Sequence, residues 1–238
     1  MKYRLSKSEA ERLKKAICVT LANPFIDDIE DFIWEAIFSY TKKLPVIDPL
    51  TSIRSKRLFD IVDKKHKIGW SAKAVQWKIT PTAKFELVIQ RADIFKKAKS
   101  LGFSKLTKHS PVQLLGQALL KHWYVEKVTK DAKYQDVKDM RVCILLKSRD
   151  RKKFIYFEES ITEYKNSDIE WRWTDTSKTG LQGVRKADGL CIFRWYPNQK
   201  QLFESFVVSK HSLTFELAPR RLPVADVVDL LGRRLGRK

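Results

Sequence analysis

The stretch RLFDIVDKKHKIGWSAKAVQWK, residues 57–78, can bring an acid, a hydroxyl and a lysine onto one surface. Arg57–Asp63 and Lys67–Gln76 read as extended segments joined by Lys64, Lys65 and His66, a hairpin. Side chains along a strand alternate in facing, and residues opposite each other share a face. With the turn centred between Lys65 and His66, Asp60 lies opposite Ser71, and Lys73 shares their face. Asp63 turns the other way, and the rival pattern Gln76-x-Lys78 is disfavoured. An acid on one strand and a polar residue-x-Lys on the next suit metal-assisted phosphodiester hydrolysis. The carboxylate holds a hard cation such as Mg²⁺, which prefers oxygen ligands and keeps several waters. The cation polarises phosphoryl oxygens and helps generate hydroxide, while the lysine positions the water. A second carboxylate is needed, and Glu86, near the start of the following helix, is the first candidate. Glu35 on the second helix is the other.

The elements that must hold these residues follow from periodicity. Ser6 and Glu9 form a capping box, and Ala10, Leu13, Ile17 and Leu21 make one helical face. Asn23-Pro24 starts a second helix running to about Tyr40. Its core stripe is expected to be Phe25, Ile29, Phe32, Ile33, Ala36, Ile37 and Tyr40; Trp34 and Phe38 on the far side imply a second covering layer or subunit. After the hairpin, Phe85, Val88, Ile89, Ala92 and Phe95 predict a helix over 83–100, ending at Gly102. Ser110-Pro111 caps another, carrying Leu115, Ala118 and Leu119. The apolar run RVCILLK at 141–147 predicts a central strand, with KFIYFEE at 153–159 its neighbour. This order predicts one α/β domain, a mixed central β-sheet flanked by helices, with residues 24–160 as its core.

Residues 168–238 differ in texture and are expected to read nucleic acid. EWRWTD and LCIFRWYP are aromatic-basic strands around the loop TSKTGLQGVRKADG. NQKQLFESF reads as helical, SLTFEL as extended, and Pro223–Leu235 as a helix. Arg, Lys, Gln and Asn contact phosphates and base edges. The expected DNA contacts are Lys178, Gln182, Arg185 and Lys186 around Gly180 and Gly183, followed by Arg194 and Asn198.

Charge favours the same partner. The 238 residues hold 48 Lys and Arg against 28 Asp and Glu, a net +20, with a pI near 9.9. Such an excess points to a polyanion. The basic residues run from Lys2 to Lys238, which fits nucleic acid better than one membrane-binding helix. No apolar stretch is long enough to span a bilayer, and the first residues lack a secretory apolar core. Cys18, Cys143 and Cys191 are too scattered for a disulfide framework or zinc site, so a cytoplasmic location is expected. His66, His109, His122 and His211 show no ligand or triad spacing.

Over roughly Asp28 to Leu146 the chain resembles the PD-(D/E)XK nuclease superfamily, and within it type II restriction endonucleases. An acidic helix, the Asp60 hairpin, a helix and a buried strand carry the resemblance. The family motif is an acid, then acid-x-Lys on the next strand. Two positions depart from it: Phe59 replaces the usual Pro, and Ser71 stands where the second acid belongs. Some restriction enzymes look similar in using Ser-x-Lys with a carboxylate from the next helix, the place of Glu86 here. The resemblance implies a restriction-endonuclease-like fold and Mg²⁺-dependent, sequence-specific cleavage of double-stranded DNA. It also implies 5′-phosphate and 3′-hydroxyl ends. A homodimer is expected, because a two-fold enzyme matches a palindromic site. The competing class is a non-catalytic DNA- or RNA-binding protein using the same basic surface.

Overall fold

The structure, a computed structural model, describes residues 3–46, 57–77, 84–208 and 212–236. Where the sequence predicts one domain, the chain divides into two compact units, each built from discontinuous segments. The first comprises Met1–Pro81, Asp136–Ser160 and Ser209–Lys238; the second comprises Thr82–Gln135 and Ile161–Val208. Both are mixed α/β, and the positive charge is shared between them. No helix among the described residues is long and apolar enough to cross a membrane.

In the first unit, α1 (Lys7–Ala22) opens on the expected capping box: the Ser6 hydroxyl accepts from the Glu9 N–H, and the Glu9 carboxylate from the Ser6 N–H. Leu13, Ile17 and Leu21 are its buried face. The second helix, α2 (Asp31–Lys42), starts later than Asn23-Pro24 predicts; Asn23 instead caps the end of α1. Its core face is shifted from the expected stripe: Ile29 and Ile37 are buried as expected, but Trp34 and Phe38 join them. Trp34 and Phe38 are 0% exposed, whereas Phe25, Phe32 and Tyr40 are 60%, 46% and 49% exposed. The Trp34 indole donates to the Cys143 carbonyl (3.2 Å), and Phe38 packs edge-on against Trp70. The large rings thus take the sheet side.

The sheet of this unit contains β1 (Ile61–Asp63), β2 (Ile68–Gln76), β4 (Asp139–Lys147), β5 (Lys153–Ser160) and β10 (Leu213–Glu216), in the order β1-β2-β4-β5-β10. β2 and β4 are parallel and the remaining pairs antiparallel, so the sheet is mixed. β4 is the central strand that its apolar run predicts. Ile61, Trp70, Ala72, Cys143, Leu145, Phe154, Tyr156 and Phe215 share a core with α1 and α2. The opposite face carries Ser71, Lys73, Val142, Ile144, Leu146, Ile155 and Phe157. The closing helix α5 (Val224–Leu235) lies where the sequence predicts.

The second unit has a fully antiparallel sheet, ordered β3-β9-β8-β7-β6. Its strands are β3 (Lys84–Arg91), β6 (Ile169–Trp173), β7 (Leu181–Arg185), β8 (Cys191–Tyr196) and β9 (Gln201–Val207). Helix α3 (Val112–Leu120) continues through a wide π-type segment, Lys121–Thr129, into α4 (Lys130–Gln135). Three expectations fail here. Residues 84–91 form a strand, not a helix, because Phe85 and Leu87 point inward by alternation. Residues 201–207 are also a strand: Leu202 and Phe206, four apart, satisfy either period. The supposed loop between the aromatic strands contains β7.

Candidate active site

The hairpin register is the one that side-chain parity predicts. Ile61 pairs with Trp70, Val62 with Gly69 and Asp63 with Ile68. The Asp60 N–H extends this ladder by donating to the Trp70 carbonyl (2.9 Å). Phe59 is buried against Gly69. A Cβ on Gly69 would lie 2.7 Å from the Phe59 ring and 2.8 Å from Val137. The glycine leaves room for the Phe59 ring against β2.

Beyond Asp60 the strands separate. β1 pairs only with Ile68–Trp70, while β2 runs on to Gln76. Carboxylates take the next two edge amides: Ala72 N–H donates to Asp60 Oδ2 (2.9 Å), and Ala74 N–H to Asp31 Oδ1 (2.9 Å). Alternate strand residues are about 6.8 Å apart, so the two acids are neighbours along one edge. Asp31 opens α2, where the helix dipole favours an anion. That helix runs back along β2: Asp31 sits at Ala74, while Lys42, at the other end, reaches Glu158 beside the Trp70 indole. Glu35, one turn after Asp31 on the same helical face and half-buried, falls between those anchors.

Ser71 is buried and Lys73 half-buried on the face Asp60 shares. Among the described residues Lys73 makes no ion pair or side-chain hydrogen bond, although it is partly withdrawn from water. Burial pushes the neighbouring Cys143 thiol well above its ordinary range; Glu158 and Asp60 add to the rise, and Lys42 and Lys73 oppose it. Asp63 turns away, as expected, and receives the His66 N–H (3.1 Å) and ring Nδ1 (2.6 Å), which staple the turn. Lys78 lies outside the described residues.

Glu86 does not start a helix. It lies on β3 in the second unit, opposite Ser205, with its carboxylate 3.5 Å from Arg194. Of the two candidates for the second carboxylate, Glu35 is the one in the same unit as Asp60. Asp31 is the acid that sequence reasoning missed. The run Asp27, Asp28, Glu30, Asp31 reads as a solvated helix face, and nothing local marks one member as bonded to a strand 43 residues away. Its neighbour Asp28 is held by Lys147, whose ammonium also donates to the Ile29 carbonyl (2.5 Å). These contacts tie the entry of α2 to the end of β4.

Asp31, Glu35, Asp60 and Ser71 offer carboxylates and a hydroxyl, the hard oxygen donors that suit Mg²⁺. No three His, Cys, Asp or Glu among the described residues close into a ready-made metal cage. Acids strung along an edge suit an ion that keeps much of its water.

The expected DNA contacts scatter over the second unit. Lys178 and Asn198 sit at one end of its sheet, both bonded to Lys108: Lys178 Nζ donates to the Lys108 carbonyl (3.2 Å), and Lys108 Nζ to Asn198 Oδ1 (2.9 Å). Arg185 and Lys186 lie at the opposite end. The Arg185 guanidinium is engaged by Asp188 at 2.9 and 2.5 Å, which holds that carboxyl down at about 2. Gln182 and Arg194 are cross-strand partners in the middle. Arg194 bonds Tyr196 and faces Glu86. No family model, curated protein or solved structure matches the chain.

Proposed function

We propose that the protein is a Mg²⁺-dependent endonuclease that cuts double-stranded DNA at a specific sequence, as restriction enzymes do, and works as a cytoplasmic homodimer. The observation that carries this reading is the parting of β1 and β2 at Asp60. There one carboxylate from the hairpin and one from α2 take successive edge amides beside Lys73, which makes no ion pair among the described residues. Asp60 with Asp31 or Glu35 would hold the ion, with Ser71 beside them. When bound, Mg²⁺ would polarise the scissile phosphate and lower the pKa of an attached water. Lys73 hydrogen-bonds and orients the attacking water and steadies the anionic phosphate. Ser71, buried opposite Asp60, fills the second-acid position with a neutral group and leaves the second charge to α2.

Incubation with supercoiled plasmid tests this. With Mg²⁺, the protein should give nicked and linear DNA, then discrete fragments with 5′-phosphate and 3′-hydroxyl ends; with EDTA the plasmid should stay intact. A plasmid that is bound but never cut across a range of Mg²⁺ would leave a non-catalytic nucleic-acid-binding protein instead.

A further inference from the structure

We propose that the hairpin of β6 and β7 enters the major groove of double-stranded DNA and reads bases through Arg172 and Gln182. The nuclease reading supplies only the identity of the nucleic acid; the choice of element rests on the geometry of the second unit.

β6 is the edge strand of its sheet and pairs with β7, which pairs on its other side with β8. Strands lie about 4.8 Å apart. The major groove, about 12 Å wide, admits the two outermost strands edge-first, with β8 and the rest of the five-stranded sheet, about 19 Å across, left outside. Arg172 and Gln182 are direct cross-strand partners and share the face away from Trp171 and Trp173. Arg172 is exposed and Gln182 half-buried. Among the described residues neither side chain makes a hydrogen bond, ion pair or ring contact. Most of the other candidate readers in this region are committed: Arg185 to Asp188, Arg194 to Tyr196 and Glu86, Lys178 and Asn198 to Lys108. Arginine forks onto guanine O6 and N7, and glutamine onto adenine N6 and N7. Cross-strand partners about 5 Å apart can reach neighbouring base pairs. Glu170, two residues back on the Arg172 face, is an acceptor of the kind cytosine N4 offers a proton to.

The ribbon is stiffly backed. Trp171 is buried and stacks on Phe193, with their ring planes 9° apart. Gly183 lies between them in register; a Cβ there would stand 2.9 Å from the Trp171 ring. Gly116 of α3 admits the same indole from its own side, where a Cβ would be 2.2 Å away. The Trp171 Nε1–H donates to Asn166 Oδ1 (3.0 Å). The loop joining the strands is bonded within itself, Thr174 N–H to the Gly180 carbonyl and Thr179 N–H to Asp175. A preorganised ribbon lets two free side chains discriminate without first ordering the backbone.

The test is selection from a pool of random-sequence DNA duplexes in EDTA, so that cleavage plays no part. The intact protein should enrich one motif. Arg172→Lys, which keeps the charge but loses the fork, should erase preference at a guanine. Gln182→Ala should erase it at an adenine. Each should lower affinity for the wild-type motif about 5- to 150-fold. Binding to a scrambled duplex should hold, as should the melting temperature. Duplex RNA, whose deep major groove excludes side chains, should not compete. The proposal is overturned if both variants enrich the wild-type motif unchanged, if the protein enriches none, or if duplex RNA competes equally. A protein that selects a motif but never cuts with Mg²⁺ loses the nuclease reading and keeps this one. A protein that cuts while both variants keep its motif does the reverse.

Discussion

Two places on the first unit's sheet hold arrangements of charge built from the same residue types: a closed one around Glu158 and an open one where β1 and β2 part. On the helix-covered face, Glu158 is buried and saturated. It receives the Trp70 indole N–H (2.7 Å) and the Tyr156 hydroxyl, with Lys42 at 3.1 Å and Arg141 at 3.2 Å. Arg141 in turn holds Asp139 and stacks over Tyr3. Every charge there has an opposite charge within the protein. At the parting of β1 and β2, Asp31 and Asp60 accept backbone amides, and among the described residues Lys73 makes no ion pair. The closed arrangement stabilises the fold. The proposed function assigns the open one to a cation and a phosphate.

Substitution should separate the two. At the open site, Asp31→Asn and Glu35→Gln each remove one negative charge with little change of shape, and cleavage should fall by about 10²-fold or more. Glu86→Gln, on the other unit, should leave it within about twofold. Single-turnover cleavage rates at fixed Mg²⁺ check this. Loss in Glu86→Gln alone would move the second carboxylate to β3.

At the closed site, Glu158→Gln removes one of two acids from each of two partly buried cations, leaving Lys42 with Glu9 and Arg141 with Asp139. The loss of stability should be about 1.5–3 kcal/mol by urea denaturation. The rate per folded molecule should hold at low temperature. A variant as stable as the wild type would show that the Lys42 and Arg141 charges are solvated and that the closed network is not structural.

A pH-dependent effect tests burial without pairing. Glu159 lies on the same sheet face as Ser71, and burial raises its carboxyl from 4.5 to about 7. The unfolded chain therefore releases this proton first as pH rises. The stabilising difference is complete below about 4.5 and is lost progressively up to about 7. Glu159→Gln should be more stable than the wild type at pH 8 by about 3 kcal/mol, with the gap closing toward pH 4.5. Parallel stability curves for the two proteins over that range would contradict the raised value.

What the sequence made legible follows the range of each interaction. The Ser6–Glu9 capping box and the hairpin register are set within a few residues, and both are read correctly. The choice between the two apolar sides of α2 is not local. Phe25, Phe32 and Tyr40 make as good a stripe as Trp34 and Phe38, and only the sheet beneath selects the rings. β3 and β9 were hidden because apolar residues three or four apart fit a helix, and their pairing joins segments more than 100 residues apart. The division into interleaved units has the same cause. Asp60, Ser71 and Lys73 were legible because one hairpin carries them all; Asp31 was not, because tertiary packing brings it to β2.

Cleavage by Asp60→Asn and Lys73→Ala, with Asp63→Asn as the control, tests the open site most directly. Each protein is given supercoiled plasmid and Mg²⁺ after its melting temperature is shown to match the wild type. Asp60→Asn should bind DNA in EDTA at least as well as the wild type, because a negative charge near phosphate is gone, yet fail to cut. Lys73→Ala should also fail to cut while still binding Mg²⁺. Asp63→Asn, on the opposite face, should cut normally. Full Mg²⁺-dependent cleavage by both Asp60→Asn and Lys73→Ala would contradict the assignment of catalysis to this hairpin.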